Sequence, residues 1–346
     1  MRAVKLVGPG RIEIHDVPIP AISESEVLIK VAGAGLCHSD LHILHQDENW
    51  PFFGTTMGHE TAGWIDAVGG NVTELAVGDP VLVRAVWSCG ECRPCRMGRE
   101  NACAVNGSRT MFPLTPGIGA DGGMAEFIKA SSKHVDTIEG LDIVSAAPLA
   151  DAALTPMHTI NSTRDLLSDD ATVIVIGVGG LGHMALQILA ATTKATVIAV
   201  DSDPARLDLA RSKGAAVVID ASTNVAAQIL DMTAGYGVDV VYDFVGIQPT
   251  IDLATSVVAP YGAVRLVGLG GGSFPFNASL EGEVLPWGVN VQRPYGGAAS
   301  DQADVLALAH SGAIGVETVI YPLDDAQRAF DDLEAGRISG RAILVP

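Results

Sequence analysis

Positive charge is scarce in this chain: 21 lysines and arginines stand against 40 aspartates and glutamates, a net charge of −19 at neutral pH. A surface of that sign repels phosphodiester backbones and anionic lipid headgroups, so neither nucleic acid nor a membrane is an expected partner. Cysteine is scarce too, five in 346 residues. An odd number of thiols, four of them at metal-ligand spacing, argues against a disulfide framework and for a reducing compartment. Internal repeats and low-complexity segments are absent, and the glycine-rich run at 268–272 is short enough to be a loop. The most apolar stretch, 171–190, is interrupted by glycines and by His183 and Gln187, which makes it a strand, turn and helix rather than a membrane span. The first ten residues lack the long apolar core of a secretory signal and read as a strand ending in a turn, so the expected location is the cytoplasm.

What is present is a well-buried composition, 48% hydrophobic and 18% charged, on a chain longer than one core usually supports. Up to about residue 142, short β-branched runs such as 27–31 and 80–84 alternate with Gly, Pro and Asp turns, the texture of a barrel-like, mostly antiparallel β domain. After 162 the texture changes to buried-type strands at 172–176, 195–200, 216–219, 238–242 and 263–267, separated by helical spans. That alternation predicts an α/β unit with a parallel, doubly wound sheet. The tail from about 294 carries helices at 302–310 and 325–334 and a last strand at 341–345 that returns to the first domain. The expected domains are therefore 1–152 with 293–346, and 153–292.

Four cysteines, Cys89, Cys92, Cys95 and Cys103, occupy one short loop with Gly and Pro between them. Their spacing lets four thiolates converge on one ion, a closed tetrahedral zinc site with a structural role. Cys37 stands apart, in Cys37-His38-Ser39-Asp40-Leu41-His42, with Gly58-His59-Glu60 following. A thiolate, a histidine and one further acid would match an open catalytic zinc site, and Asp151, alone in an apolar stretch, is the best-placed third ligand. The strand at 172–176 runs into Gly177-Val178-Gly179-Gly180-Leu181-Gly182 and a helix at 183–191, with Asp201 ending the next strand. Glycines for the turn, a helix N-terminus for the pyrophosphate and an acid for the ribose hydroxyls predict a dinucleotide site. Asp201 and Asp203 would repel a 2′-phosphate, which favours NAD over NADP.

With these motifs the chain resembles the zinc-dependent alcohol dehydrogenases of the medium-chain dehydrogenase/reductase family over its whole length. It is most similar to the bacterial NAD-dependent secondary-alcohol enzymes, which use an Asp as third zinc ligand and share the Val-Gly-Gly-Leu-Gly-His run at 178–183 and the Ser-Gly-Arg ending at 339–341. The resemblance implies a GroES-like catalytic domain and a Rossmann domain, NAD and two zinc ions per chain, and a homo-oligomer, with a tetramer ahead of a dimer. It implies that zinc on Cys37, His59 and Asp151 activates an alcohol for hydride transfer to nicotinamide, with the second zinc structural. Ser39 would take the alcohol proton and His42 deliver it to solvent; Asp40 would orient His59, and Glu60 would lie beside the metal. Asp40 alternatively caps a helix. By the same resemblance His38 and Arg341 would touch the pyrophosphate and Arg206 the adenosine, while Phe244, Val267, Gly268 and Leu269 would line ribose and nicotinamide.

The expected substrates are small alcohols, secondary or aromatic. A polyol or threonine-type dehydrogenase and a silent nucleotide-binding relative are the alternatives. Trp50, Phe52, Phe53, Trp287 and Tyr295 read equally as pocket walls or as core. Gly296 occupies a position where similar proteins often carry Trp, which predicts tolerance of bulkier substrates.

Overall fold

The computed structural model describes residues 1–274, 276 and 285–346. The chain divides into two compact units, 1–154 with 296–346, and 155–295.

In the first unit the organising element is the strand Glu26–Leu36, whose buried face alternates into a core of Val27, Ile29 and Val31 with Ile65, Val81 and Ile128. It pairs antiparallel with Glu60–Val68, with Phe127–Ser131 and with the C-terminal strand Arg341–Val345. The seven-stranded sheet is completed by Pro80–Val83, Val135–Thr137 and Thr318–Pro322. The last of these runs parallel to Arg341–Val345, so the sheet is mixed rather than uniformly antiparallel. Because Glu26–Leu36 ends where its two antiparallel neighbours begin, residue 37, residues 59–60 and residue 341 arrive at one end of the sheet. The register makes this concrete, with Gly35 opposite Glu60 and Leu36 opposite Ala342. A second core, with Leu6, Leu36, Met57, Phe330 and Leu344, lies beneath the helices His38–Leu44 and Ala326–Glu334.

The second unit is a six-stranded parallel sheet in the order Val217–Asp220, Thr196–Asp201, Thr172–Ile176, Val238–Asp243, Val258–Leu266, Asn290–Gln292. Numbered within the unit this is 3-2-1-4-5-6, the doubly wound order, and the order of strand addition reverses beside Thr172–Ile176, where such sheets bind ligands. Both faces of the central strands Thr172–Ile176, Thr196–Asp201 and Val238–Asp243 are buried, as their runs of Val and Ile require. Asn290–Gln292 is a sixth strand that periodicity did not signal; it is three residues long and largely exposed. Among the described residues no helix is long and apolar enough to cross a membrane.

Candidate active site

Cys37 follows directly on Glu26–Leu36 in extended backbone (φ −115°, ψ 159°) and is the N-cap of the helix His38–Leu44. Its N–H donates to Asp40 Oδ2 at 2.8 Å, which closes the helix start and fixes the thiol's direction. Cys37 Sγ then lies 3.6 Å from Asp151 Oδ2 and 3.6 Å from Ser39 Oγ. His59 enters on the strand end after Gly58, whose φ of +97° favours glycine. His59 Nε2 is 3.4 Å from Asp151 Oδ2. Asp151 ends the 3₁₀ turn Ala147–Ala150. The ligand atoms of Cys37, His59 and Asp151 all fall within 4.8 Å of one another, although the residues are far apart in sequence.

The surroundings are strongly charged and almost dry. Asp40 and Glu60 are fully buried and His59 is 3% exposed. Asp40 Oδ1 stands 3.3 Å from His59 Nδ1, near enough for an ion pair though off the line of a good hydrogen bond. Asp40 thus bonds the helix start through one oxygen and faces the imidazole with the other. Glu60 accepts from Ala152 N–H at 3.1 Å and from Arg341 Nε at 2.9 Å, and Arg341 Nη2 also contacts it. Arg341 Nη2 reaches Asp151 Oδ2 at 3.4 Å. The space for Glu60 comes from Gly35, where a Cβ would collide with the carboxylate. Burial pushes the His59 imidazole down, but the nearby Asp40 charge and the Asp151 carboxylate outweigh it and raise its pKa well above the ordinary value. Burial likewise opposes the charge on Arg341, and the anions at Cys37, Glu60 and Asp151 hold that charge in place. The same field attracts a metal cation, and thiolate, imidazole and carboxylate together form a zinc donor set with a position left for substrate. These three residues fit zinc.

The cysteine lobe fits a second ion. Its four sulfurs also lie within 4.8 Å of one another. Backbone N–H groups point at them: Cys92 and Glu91 donate to Cys89 Sγ at 3.3 and 3.4 Å, Ala104 to Cys92 Sγ at 3.4 Å, and Cys89 to Cys103 Sγ at 3.3 Å. Such bonds stabilise thiolates, the form that binds metal. Backbone hydrogen bonding lowers Cys92 to about 6, while burial and the neighbouring Cys92 sulfur raise Cys95 to about 12.

In the second unit Gly177 has φ +85° and accepts no bulk, since a Cβ would stand 2.5 Å from Val245 Cγ2. At Gly182 a Cβ would strike the Gly177 carbonyl. A Cβ on Gly179 would meet nothing within 4 Å, so this glycine opens a cradle that a side chain would fill. Gly180 and Leu181 complete the turn into the helix Gly182–Thr192. Asp201 is 7% exposed and accepts from Val178 N–H at 2.7 Å and Asp203 N–H at 3.0 Å. Each oxygen keeps a lone pair for a ribose hydroxyl. The loop and acid therefore fit a dinucleotide. Arg206 is half-buried on the helix Pro204–Ser212, capped by Asp203.

Asp243 was not foreseen. It is fully buried at the end of Val238–Asp243 and accepts from Val245 N–H, Gly246 N–H and the Thr250 hydroxyl at 2.7–2.9 Å. Its carbonyl accepts from Val267 N–H and Gly268 N–H, so it builds the turn holding Phe244, Val267 and Gly268 near one another. The sequence signal was an acid at a strand end, the same signal that identified Asp201. Leu269 is exposed, as are His38 and His42 on the helix His38–Leu44. Arg341, expected at the pyrophosphate, is 3% exposed and committed to Glu60 and Asp151. Trp50 and Phe53 lean on the core, Trp50 edge-on to Phe52 at 5.2 Å, and Trp287 is 77% exposed.

The family model for the alcohol dehydrogenase GroES-like domain matches residues 23–139, and that for zinc-binding dehydrogenases matches 180–311. An NAD-dependent alcohol dehydrogenase of Sulfurisphaera tokodaii is 34% identical, with all of both chains covered. A D-arabinose 1-dehydrogenase (NADP(+)) of Saccharolobus solfataricus is 34% identical, over 97% of this chain and 94% of the relative. The crystal structure of the alcohol dehydrogenase from the archaeon Aeropyrum pernix superposes with a TM-score of 0.91, at 34% identity and full coverage of both chains. With two metal-competent clusters, a doubly wound sheet and similarity along its whole length, the chain belongs to the zinc-dependent alcohol dehydrogenases of the medium-chain dehydrogenase/reductase family.

Proposed function

We propose that the protein oxidises secondary or aromatic alcohols to the corresponding carbonyl compounds, and catalyses the reverse reduction, with NAD as hydride carrier. The observation that carries this reading is the convergence of Cys37, His59 and Asp151 beside the Ser39 hydroxyl. Zinc bound there would supply a Lewis acid that lowers the pKa of a substrate hydroxyl and polarises a carbonyl. Asp40 faces His59 Nδ1 as an ion-pair partner at 3.3 Å, on the side of the ring away from Asp151, and so biases the imidazole toward the site. Ser39 accepts the substrate proton. His42, three residues further on the helix and exposed, passes it to solvent. Glu60 and Arg341 fix the orientation of Asp151.

The acid at Asp201, with Asp203 beside it, supports NAD in preference to NADP, by repulsion of a 2′-phosphate. His38, Arg206, Phe244, Val267, Gly268 and Leu269 are assigned to the cofactor on the resemblance. Tolerance of larger substrates is assigned to Gly296 on the resemblance alone, since its φ of +50° and a Cβ position 2.9 Å from Val86 Cγ2 already favour glycine there by backbone geometry. We assign the working form to a homotetramer in the reducing cytoplasm, where its thiols stay available as ligands.

The test pairs zinc content with NAD reduction on 1-phenylethanol for the wild type and Asp151→Ala. Two zincs falling to about one, with turnover lost, is the expected result. Two zincs kept with full activity would remove Asp151 from the site. One zinc and no turnover in the wild type would make the chain a silent nucleotide binder. Faster oxidation of D-arabinose with NADP would move the substrate to sugars.

A further inference from the structure

Among the described residues three acids, Asp40, Glu60 and Asp243, have 0% exposure. Glu60 meets Arg341, and Asp40 faces His59. Asp243 has no cationic side chain bonded to it among the described residues, and its three donors are the neutral Val245 N–H, Gly246 N–H and Thr250 hydroxyl. Arg265, in register with Tyr242 on the neighbouring strand, gives its guanidinium to Ser162 and Asn290. Burial opposes the Asp243 charge and raises its pKa, so the carboxylate is held there at a cost to stability. An asparagine would accept the same two amide bonds without that cost. The helix Gln248–Val257 begins just beyond these amides, but a helix N-terminus supplies only roughly half a positive charge. A net negative field remains at this strand end.

Asp243 stands where one half of a dinucleotide would rest. Asp201 ends Thr196–Asp201 on one side of Thr172–Ile176, and Asp243 ends Val238–Asp243 on the other. With the adenosine ribose on Asp201, the nicotinamide half lies across the switch point, over the ends of Val238–Asp243 and Val258–Leu266. The turns at those ends interlock through backbone. Phe244 N–H donates to Ile176 O at 2.9 Å, the Asp243 carbonyl accepts from Val267 N–H at 2.8 Å and Gly268 N–H at 3.1 Å, and Gly270 N–H donates to Val245 O at 3.1 Å. A Cβ on Gly246 would stand 2.2 Å from the Gly268 carbonyl oxygen, so the two turns touch main chain to main chain. Such packing leaves the carboxylate no room to turn away, and in a dry interior its field is weakly screened.

We propose that Asp243 is a specificity-determining residue for the redox state of the cofactor: its charge favours the oxidised nicotinamide, whose ring is cationic, over the reduced ring, which is neutral. This rests on the reading of the glycine loop and Asp201 as a dinucleotide site. The adenosine half is the same in both forms, so a fixed charge discriminates between them only through the ring. A site biased in this way holds the cofactor in the form that accepts hydride and loosens the form that has received it.

The test is titration calorimetry of the zinc-loaded chain and of Asp243→Asn with NAD+, NADH and ADP-ribose, which lacks the ring. Asparagine keeps an oxygen for the two amides and removes the charge. The variant is expected to raise the Kd for NAD+ relative to that for NADH roughly three- to tenfold, the scale of a charge interaction at an effective dielectric of about 20. ADP-ribose is expected to bind both proteins alike. An unchanged ratio overturns the proposal, and so does equal weakening of all three ligands, the mark of a residue that only holds the turn. Thr250→Val removes one bond to the carboxylate and keeps its charge, so it is expected to leave the ratio alone; a shift as large as that of Asp243→Asn would also overturn the proposal. Should the asparagine variant not fold, Asp243→Ser decides by the same ratio. A wild type that binds none of the three ligands would overturn the dinucleotide reading itself, and this inference with it.

Discussion

The two metal-competent clusters use similar donors and are built in opposite ways. The cysteine lobe draws every sulfur from 89–103, positioned by local turns and backbone N–H bonds. The other centre draws one donor each from residues 37, 59 and 151, brought together by the register of a sheet and the end of a 3₁₀ turn. The first is closed and saturated with sulfur, and the second mixes three chemistries inside a buried network with Asp40, Glu60 and Arg341. A locally built site is suited to holding a loop together. A site built on a sheet can be preorganised for chemistry, because its donors cannot move without breaking the fold.

The sharpest way to break this comparison is to remove one donor from each cluster. Asp151→Ala is expected to lower kcat/KM by roughly 10³, about 4 kcal/mol of lost charge stabilisation, with little change in thermal midpoint. Cys103→Ser is expected to do the reverse, lowering the midpoint while the folded protein still turns over. If both changes cost both properties, the division is wrong. Next in size is Arg341→Met, which strands Glu60 as a buried anion and is expected to cost about 3 kcal/mol in urea denaturation. The double change with Glu60→Gln should recover most of that loss, and equal losses in both proteins would show that the pair is not coupled.

Asp40→Asn is expected to lower activity by about 10 to 100-fold by loosening His59, while the amide oxygen still caps the Cys37 N–H. Unchanged kcat with unchanged zinc affinity would confine Asp40 to helix capping. The smallest effect concerns the lobe alone. After chelation at pH 7, Cys92, lowered to about 6, should be alkylated before Cys95, raised to about 12. Mass mapping of the modified sulfurs gives the order, and the reverse order would deny the N–H bonds their role.

Much of this was readable before the fold was known, for identifiable reasons. The strand, Gly177-x-Gly179-x-x-Gly182 and Asp201 arrangement is local, and the runs of Val and Ile at 172–176 and 238–242 signal strands buried on both faces. Strands such as Thr318–Pro322 and Asn290–Gln292 escaped because exposed, short strands carry no burial pattern. Arg341 was named from the resemblance, but its pairing escaped for a different reason: Glu60 is 281 positions away, and no local pattern reports a contact of that span. Gly296 is instructive in the same way, since an absent side chain reads as lost bulk in a sequence and as a left-handed backbone in the structure.

By itself the sequence determined the closed cysteine site, the nucleotide loop and the two fold classes, because each depends on spacings of a few residues or on periodicity along one element. Only the tertiary structure decided that Asp40 faces both the helix start and the imidazole, and that Arg341 neutralises a buried Glu60. Those are pairings of charges across the fold, and charge interacts through space rather than along the chain.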